Sequence, residues 1–153
     1  MTPPPIDQPD PRASAWDADG TVDPESLQSG PEQAERRLVL LHGWGADADD
    51  LLDLGRELVD GSVNLVALRA PWPHPGGVGR QWYDLQRPNW PELPESRARL
   101  RERLLELGRS VPLEATVLLG FSQGGAMALD QKIREARDLH NAFLDELNLP
   151  LLP

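Results

Sequence analysis

The chain has 153 residues and a formal net charge of -10, from 15 basic and 25 acidic side chains. This length suits one domain and argues against two. Because there is no cysteine, a disulfide scaffold, a thiolate zinc site and a thiol nucleophile are excluded. The acidic balance argues against nucleic-acid binding, and no apolar stretch approaches the roughly 20 residues that span a bilayer. We therefore expect a cytoplasmic protein with no nucleic-acid partner and no membrane span.

The first 35 residues form an acidic, proline-rich segment. They hold eight acidic residues against Arg12 alone, which gives -7 of the total charge, and seven of the prolines. Trp16, Val22 and Leu27 are nearly the only large apolar residues, so this segment cannot bury enough surface to offset the entropy of ordering it. We expect residues 1–35 to be a disordered tail. The ordered alternative is a short hairpin around residues 17–20.

From residue 36 onward, apolar runs alternate with amphipathic stretches. The continuous apolar run at residues 38–41 predicts a strand that is buried on both faces of a parallel sheet, and the largely apolar stretches at 63–68 and 115–119 predict a second and a third buried strand. Leucine spacing predicts helices at residues 51–61, at 91–108 and from 123 onward, and a Pro/Gly-rich loop occupies residues 70–79. This alternation predicts an α/β fold with a short parallel sheet and flanking helices.

The third predicted strand runs into the motif GFSQGG at residues 120–125. A G-x-S-x-G motif between a strand and a helix is typical of a nucleophile elbow, in which a sharp, strained turn presents the serine above the sheet. Side chains at Gly120 and Gly124 would collide with the neighbouring strand and helix. Ser122 is therefore the candidate nucleophile. The alternative is a glycine-rich turn that caps the helix through Ser122.

A second motif, HGWG at residues 42–45, ends the first predicted strand. Turns of this type supply one backbone N–H to an oxyanion hole, and the residue after the nucleophile supplies the other. The two donors would be the amides of Trp44 and Gln123, each worth roughly 3 to 4 kcal/mol of transition-state stabilisation. We interpret His42 as a structural residue that closes the strand end, and Trp44 could in addition pack over the core.

These motifs together resemble the phospholipase/carboxylesterase family of α/β-hydrolases, which includes bacterial carboxylesterases and acyl-protein thioesterases. The resemblance covers about residues 36–130, with LHGWG at 41–45, RAP at 69–71, QWYD at 81–84 and GFSQGGAMAL at 120–129. It implies hydrolysis of carboxylic esters or thioesters through an acyl-serine intermediate, with no metal and no organic cofactor. It also makes Trp82 an aromatic residue of the loop beside the acyl pocket, although Trp82 could equally be a packing element.

A serine triad also needs an acid and a histidine, which follow the serine in this fold. The candidates after Ser122 are Asp130, Asp138, His140 and Asp145. Because their segment has the spacing of one amphipathic helix to about residue 147, His140 would lie roughly 27 Å from Ser122. A general base must reach within about 3 Å. His74 is expected to be an exposed loop residue.

The sequence thus predicts a truncated α/β-hydrolase, with residues 36–130 as a partial domain and residues 131–153 as a helical tail outside the family match. Loss of the triad base lowers turnover by about a millionfold, so we expect the chain alone to be inactive or very weak. The third strand would form an open edge of the sheet.

Three readings stay open. The chain could be an esterase represented by a truncated or frame-shifted copy, or an enzyme completed by a separate chain that supplies Asp and His. It could also be a non-catalytic binding protein that uses its C-terminal helix. The expected partners are a small ester or thioester substrate and, through the sheet edge and that helix, a protein partner or a second copy.

Overall fold

The computed structural model describes residues 26–153, which form a four-stranded sheet with helices on both faces. The strands are β1 (Ser26–Ser29), β2 (Arg37–Leu41), β3 (Asn64–Leu68) and β6 (Thr116–Gly120), and a separate hairpin contains β4 (Trp72–Pro73) and β5 (Arg80–Gln81). The helices are α1 (Leu52–Leu58), α2 (Leu93–Leu107) and α3 (Gln123–Glu146), with a 3₁₀ turn at Leu113–Ala115. The order in the sheet is β1-β3-β2-β6.

Strands β2 and β3 bury both faces, as predicted, whereas β6, for which the same burial was predicted, is only partly buried because it lies at the edge of the described sheet. Val39 and Leu41 pack with α2 and α3 on one face, and Leu38 and Leu40 contribute to the core beneath α1 on the other. Strands β2, β3 and β6 are parallel. Parallel strands with helices on both faces confirm the predicted α/β architecture.

The three strands and three helices lie where the sequence predicts them, but the boundary at residue 35 is corrected. Ser26–Ser29 forms β1, which pairs antiparallel with β3. Hydropathy misses this strand because Leu27 is its only large apolar residue, and it gains its hydrogen bonds from the free edge of β3. The hairpin proposed at residues 17–20 lies outside the described residues.

Strand β6 is at the edge of the sheet formed by residues 26–153, as predicted. Its outer side pairs with no other strand of that sheet. Val117, on this strand, is 62% exposed. An apolar strand edge in this state is a template for pairing with another chain.

Helix α3 is apolar on two faces. Its inner face contributes Met127 and Ala128 to the core, whereas Leu129, Ile133 and Phe143 are all more than half exposed. A helix at the surface of a globular protein normally has a polar outer face. No helix in the described part of the chain is long and apolar enough to cross a membrane.

Candidate functional site

Ser122 occupies the turn between β6 and α3, at the carboxyl edge of the sheet. Its backbone has φ 51° and ψ -115°, in a region that non-glycine residues rarely adopt, and its side chain is exposed. Strain of this kind costs on the order of 1 to 3 kcal/mol and persists only where the surroundings impose it.

The glycines on either side of Ser122 impose this turn. A Cβ atom on Gly120 would lie 2.3 Å from the carbonyl oxygen of Gly124. A Cβ on Gly124 would lie 2.0 Å from the carbonyl oxygen of Leu41, at the end of β2. Both atoms belong to the main chain and cannot move aside, so only glycine fits at these two positions. The backbone at this turn is as tight as the motif predicts, and the role of Ser122 as a nucleophile stays a prediction.

The side chain of Ser122 does not cap the helix that follows it. It makes no capping hydrogen bond at the N-terminus of α3. Main-chain hydrogen bonds form the start of the helix instead, because Gly124 N–H donates to the Phe121 oxygen and Ala126 N–H donates to the Ser122 oxygen. The capping alternative is therefore not favoured.

The two amides expected in the oxyanion hole lie on adjacent turns. Phe121 N–H donates to the Leu41 oxygen at 3.1 Å, and the Phe121 ring contacts the Cα side of Gly43, which joins the elbow to the turn after β2. Among the hydrogen bonds of residues 26–153, neither Trp44 N–H nor Gln123 N–H has an acceptor. Both amides are therefore available to a ligand.

The side chain of Gln123 makes two hydrogen bonds to the main chain that the G-x-S-x-G motif does not predict. Its Oε1 accepts from Trp82 N–H at 2.9 Å, and its Nε2 donates to the Tyr83 oxygen at 2.7 Å. Gln81 supports the turn after β2 in a similar way, because its Oε1 accepts from the Trp44 indole N–H at 2.8 Å. The segment at 81–83 thus holds both turns in place, and the QWYD motif was the only sequence signal for it.

Trp82 is a packing element, which corrects its expected place beside the acyl pocket. Its side chain is 1% exposed and lies in the core with Leu41, Leu100 and Met127. Its indole N–H donates to the His42 oxygen at 2.9 Å. A side chain enclosed in this way supports the turn after β2 without facing a substrate.

His42 is structural, as expected. Its Nε2 accepts from Ala70 N–H at 3.0 Å, so Nδ1 carries the proton and donates to the Gly43 oxygen at 2.8 Å. Burial lowers the pKa of His42, against the raising effect of the bond to Gly43. The ring therefore stays neutral and joins the ends of β2 and β3.

His74 is half-buried rather than exposed, because its ring packs against the Trp44 ring at a centroid distance of 4.2 Å. Its Nδ1 accepts from Gly76 N–H at 3.0 Å. The neutral ring consequently carries its proton on Nε2, which is buried without a partner among the described residues. A nitrogen that already holds a proton cannot accept one from Ser122.

Two of the carboxylates on α3, those of Asp130 and Asp138, form ion pairs with arginines. Asp130 accepts from Arg97 at 2.9 Å and from Arg134 at 2.9 Å, which joins α2 to α3. Asp138 pairs with its neighbour Arg137 at 3.3 Å. His140 is exposed and lies 18 residues after Ser122 on the same helix. At 1.5 Å per residue this is about 27 Å.

The fold and the strained serine turn at its carboxyl edge define an α/β-hydrolase. The chain belongs to the phospholipase/carboxylesterase family, whose model matches residues 23–143. This span includes β1 and most of α3, so it is wider than the predicted 36–130. The comparison with curated proteins finds no match.

Solved structures with the same fold include esterases and a thioesterase. Esterase PE8 is 30% identical with a TM-score of 0.61, over 70% of this chain and 56% of that one. The Dyadobacter fermentans phospholipase/carboxylesterase is 26% identical with a TM-score of 0.57, over 72% and 54%. Zea mays acyl-protein thioesterase 2 is 22% identical with a TM-score of 0.57, over 73% and 52%. The chain thus spans about half the length of these relatives.

Proposed function

We propose that this chain carries the nucleophile and the oxyanion hole of a serine hydrolase that cleaves carboxylic esters or thioesters. The observation that carries the proposal is the backbone of Ser122, held at φ 51° by two glycines that admit no side chain. A turn that served only to start α3 would not need this strain. Family membership and the names of the related esterases and thioesterase support the class of substrate.

In this proposal the exposed Ser122 hydroxyl attacks the carbonyl carbon of the substrate. The carbonyl oxygen then gains negative charge, which the amides of Trp44 and Gln123 stabilise. Because Gln81 holds the Trp44 indole and the Gln123 side chain is itself buried, the two turns need little reorganisation during the reaction. The Ser122 hydroxyl gives up its proton to water or to an added base, and breakdown of the tetrahedral intermediate expels the alcohol or thiol, which takes up a proton. The acyl-serine that remains is hydrolysed by water, which releases the carboxylic acid and restores the hydroxyl.

We further propose that residues 26–153 supply no general base for Ser122, so that this chain alone is inactive or very weak. His42 Nε2 accepts from the Ala70 amide, His74 Nδ1 accepts from the Gly76 amide, and His140 is about 27 Å along α3. Without a base the oxyanion hole and binding retain only about a thousandfold over water.

Chemical rescue tests this proposal. Hydrolysis of p-nitrophenyl acetate is measured with and without millimolar imidazole, for the wild type and for Ser122→Ala. Imidazole supplies the missing base, so we expect a protein-dependent rate that rises with imidazole in the wild type and is absent in Ser122→Ala. An equal imidazole effect in both proteins would remove Ser122 as the nucleophile.

A fluorophosphonate probe tests the second part separately. Only an activated serine reacts quickly with this reagent, so we expect labelling of Ser122 to be at least about a thousandfold slower than in a complete serine hydrolase. Rapid labelling without added imidazole would show that the chain has its own base.

A second candidate function is non-catalytic binding through α3, and the exposed apolar side of that helix favours it. Leu129 and Ile133 are 63% and 59% exposed on one stripe. Replacing both by Asp should abolish partner capture through α3, whereas Leu54→Asp on α1, whose side chain is also exposed, should not. Retention of ester chemistry at Ser122 with no such association would favour the hydrolase alone.

A cytoplasmic location remains part of the proposal and is tested by cell fractionation.

A further inference from the structure

The Trp44 N–H, one of the two candidate oxyanion donors, belongs to the peptide group that joins Gly43 to Trp44. In a trans peptide group the carbonyl oxygen and the N–H point in opposite directions, so the Gly43 oxygen and the Trp44 N–H rotate together. Glycines lie on both sides of Trp44, and Gly45 has φ 83°. Because glycine restricts the backbone least, the residue types in this turn do not by themselves prevent the peptide group from rotating.

Two hydrogen bonds hold the Gly43 oxygen in place. His42 Nδ1–H donates to it at 2.8 Å, and Ala46 N–H donates to it at 3.2 Å. The bond from His42 is the shorter one, and because the side chain of His42 is buried, water does not compete for it. Rotation of the peptide group would break both bonds and leave a buried imidazole N–H without its acceptor, which is unfavourable.

The segment after β3 determines which nitrogen of His42 carries the proton. Ala70 N–H donates to Nε2 at 3.0 Å, and a neutral imidazole has only one proton, so that proton is on Nδ1. The ring itself is fixed against the Trp82 ring at a centroid distance of 5.7 Å. The Ala70 amide therefore selects the tautomer that can hold the Gly43 oxygen.

We propose that His42 is a positioning residue for the oxyanion hole: its Nδ1–H holds the Gly43 oxygen and thereby fixes the direction of the Trp44 N–H on the other side of the same peptide group. His42 acts through this peptide group and does not touch the substrate. Its effect on hydrolysis rests on the proposed function, whereas its effect on the Trp44 amide does not.

Two substitutions separate the hydrogen bonds of the ring, because each retains one of them. In His42→Asn the side-chain NH₂ takes about the position of Nδ1 and can still donate to the Gly43 oxygen, but the bond from Ala70 is lost. In His42→Gln the amide oxygen takes about the position of Nε2 and can still accept from Ala70 N–H, but the bond to Gly43 is lost. Because Asn is the smaller side chain, His42→Asn should be the less stable variant in urea unfolding.

NMR relaxation of the full chain labelled with ¹⁵N-tryptophan measures the order of the Trp44 amide directly. We expect an order parameter of about 0.85 in the wild type and in His42→Asn, and a value below about 0.6, or a signal broadened by exchange, in His42→Gln. Trp44→Phe assigns the signal by removing it, and the Trp90 amide, in the loop before α2, is the control that should not change. A Trp44 amide that stays equally rigid in His42→Gln would overturn the proposal.

Hydrolysis of p-nitrophenyl acetate with added imidazole measures the consequence for the proposed reaction. For His42→Gln we expect kcat to fall at least about tenfold while KM changes less than about twofold, and for His42→Asn we expect kcat to fall less than about threefold. A merely structural role predicts the opposite order, because His42→Asn is the less stable variant. Activities that follow the order of stability would therefore overturn the proposal. Absence of Ser122-dependent hydrolysis, with the expected change in the Trp44 amide, would overturn the proposed function and leave the positioning role intact.

The wild type alone supplies a test that does not require either variant to fold. Long-range ¹H–¹⁵N NMR of the imidazole shows which ring nitrogen carries the proton, and we expect the Nδ1–H tautomer for His42. A proton on Nε2 alone would overturn the proposal, because the ring could then not donate to the Gly43 oxygen.

Discussion

Gly124 lies where the turn around Ser122 packs against the main chain at the end of β2, with no space for a side chain. A Cβ atom there would lie 2.0 Å from the Leu41 oxygen and 2.5 Å from the His42 oxygen, both of them main-chain atoms. We expect Gly124→Ala to lower the free energy of unfolding by about 3 kcal/mol, because β2 and α3 must separate to admit the methyl group. Urea unfolding followed by circular dichroism measures this loss.

Gly61→Ala is the control for that substitution, since a Cβ at Gly61 meets no atom within 4 Å. It should change the free energy of unfolding by no more than about 0.5 kcal/mol. Equal effects at the two glycines would contradict the packing constraint at the elbow.

Because His42 is buried, we expect the free energy of unfolding to depend on pH. Burial lowers its pKa, and the bond from Ala70 N–H requires a neutral ring. An unfolded histidine titrates near pH 6.5, so below that pH the unfolded state takes up a proton that the folded state resists. The stability is therefore fully present above about pH 6.5 and falls as the pH drops below it. We expect a loss of about 1 kcal/mol between pH 7.5 and 5.5.

His42→Gln isolates this contribution, because the Gln Oε1 can still accept from the Ala70 amide but does not titrate. Urea unfolding at the two pH values should give a flatter dependence for His42→Gln than for the wild type. A slope that is the same in both proteins would place the pH dependence elsewhere in the molecule.

At the level of elements, the strands with strong local signals were predictable and those stabilised by distant contacts were not. The runs that became β2, β3 and β6 each contain three or four consecutive apolar residues, which is a strong local signal for a strand in a parallel sheet. Strand β1 depends on its pairing with β3 and has no such run. The same distinction holds in the site: the Ser122 turn follows from local glycines, whereas the support from Gln123 to Trp82 joins residues 41 positions apart.

An ion pair between Arg97 on α2 and Asp130 on α3 joins the two helices. Asp130 is 28% exposed and accepts two hydrogen bonds from the Arg97 guanidinium, at 2.9 and 3.1 Å. A double-mutant cycle with Arg97→Gln and Asp130→Asn should give a coupling of about 1 kcal/mol, at the upper end for partly exposed pairs. The Arg99–Glu95 pair within α2 is more exposed and should give less than about 0.5 kcal/mol. Equal couplings would mean that the α2–α3 bridge adds nothing beyond a surface pair.

At the scale of the whole molecule, the unpaired edge of β6 is where we expect two copies of the chain to associate. Val117 is 62% exposed at the second position of that strand, and Phe121, just beyond its end, is also 62% exposed. Because no strand of the described sheet covers this side, two copies can pair their β6 strands. We expect the wild type to associate with increasing concentration in sedimentation velocity experiments.

Val117→Lys should suppress that association, because pairing two β6 edges would bring lysines close together and bury their charge. It should cost the isolated fold no more than about 0.5 kcal/mol, since the side chain already faces solvent. Val78→Lys is the matched control: Val78 is 79% exposed but lies in the loop between β4 and β5, away from the edge. The two lysine variants carry the same charge, so a general charge effect would act on both. Suppression by Val117→Lys alone would therefore assign the association to the β6 edge, and suppression by both would remove that assignment.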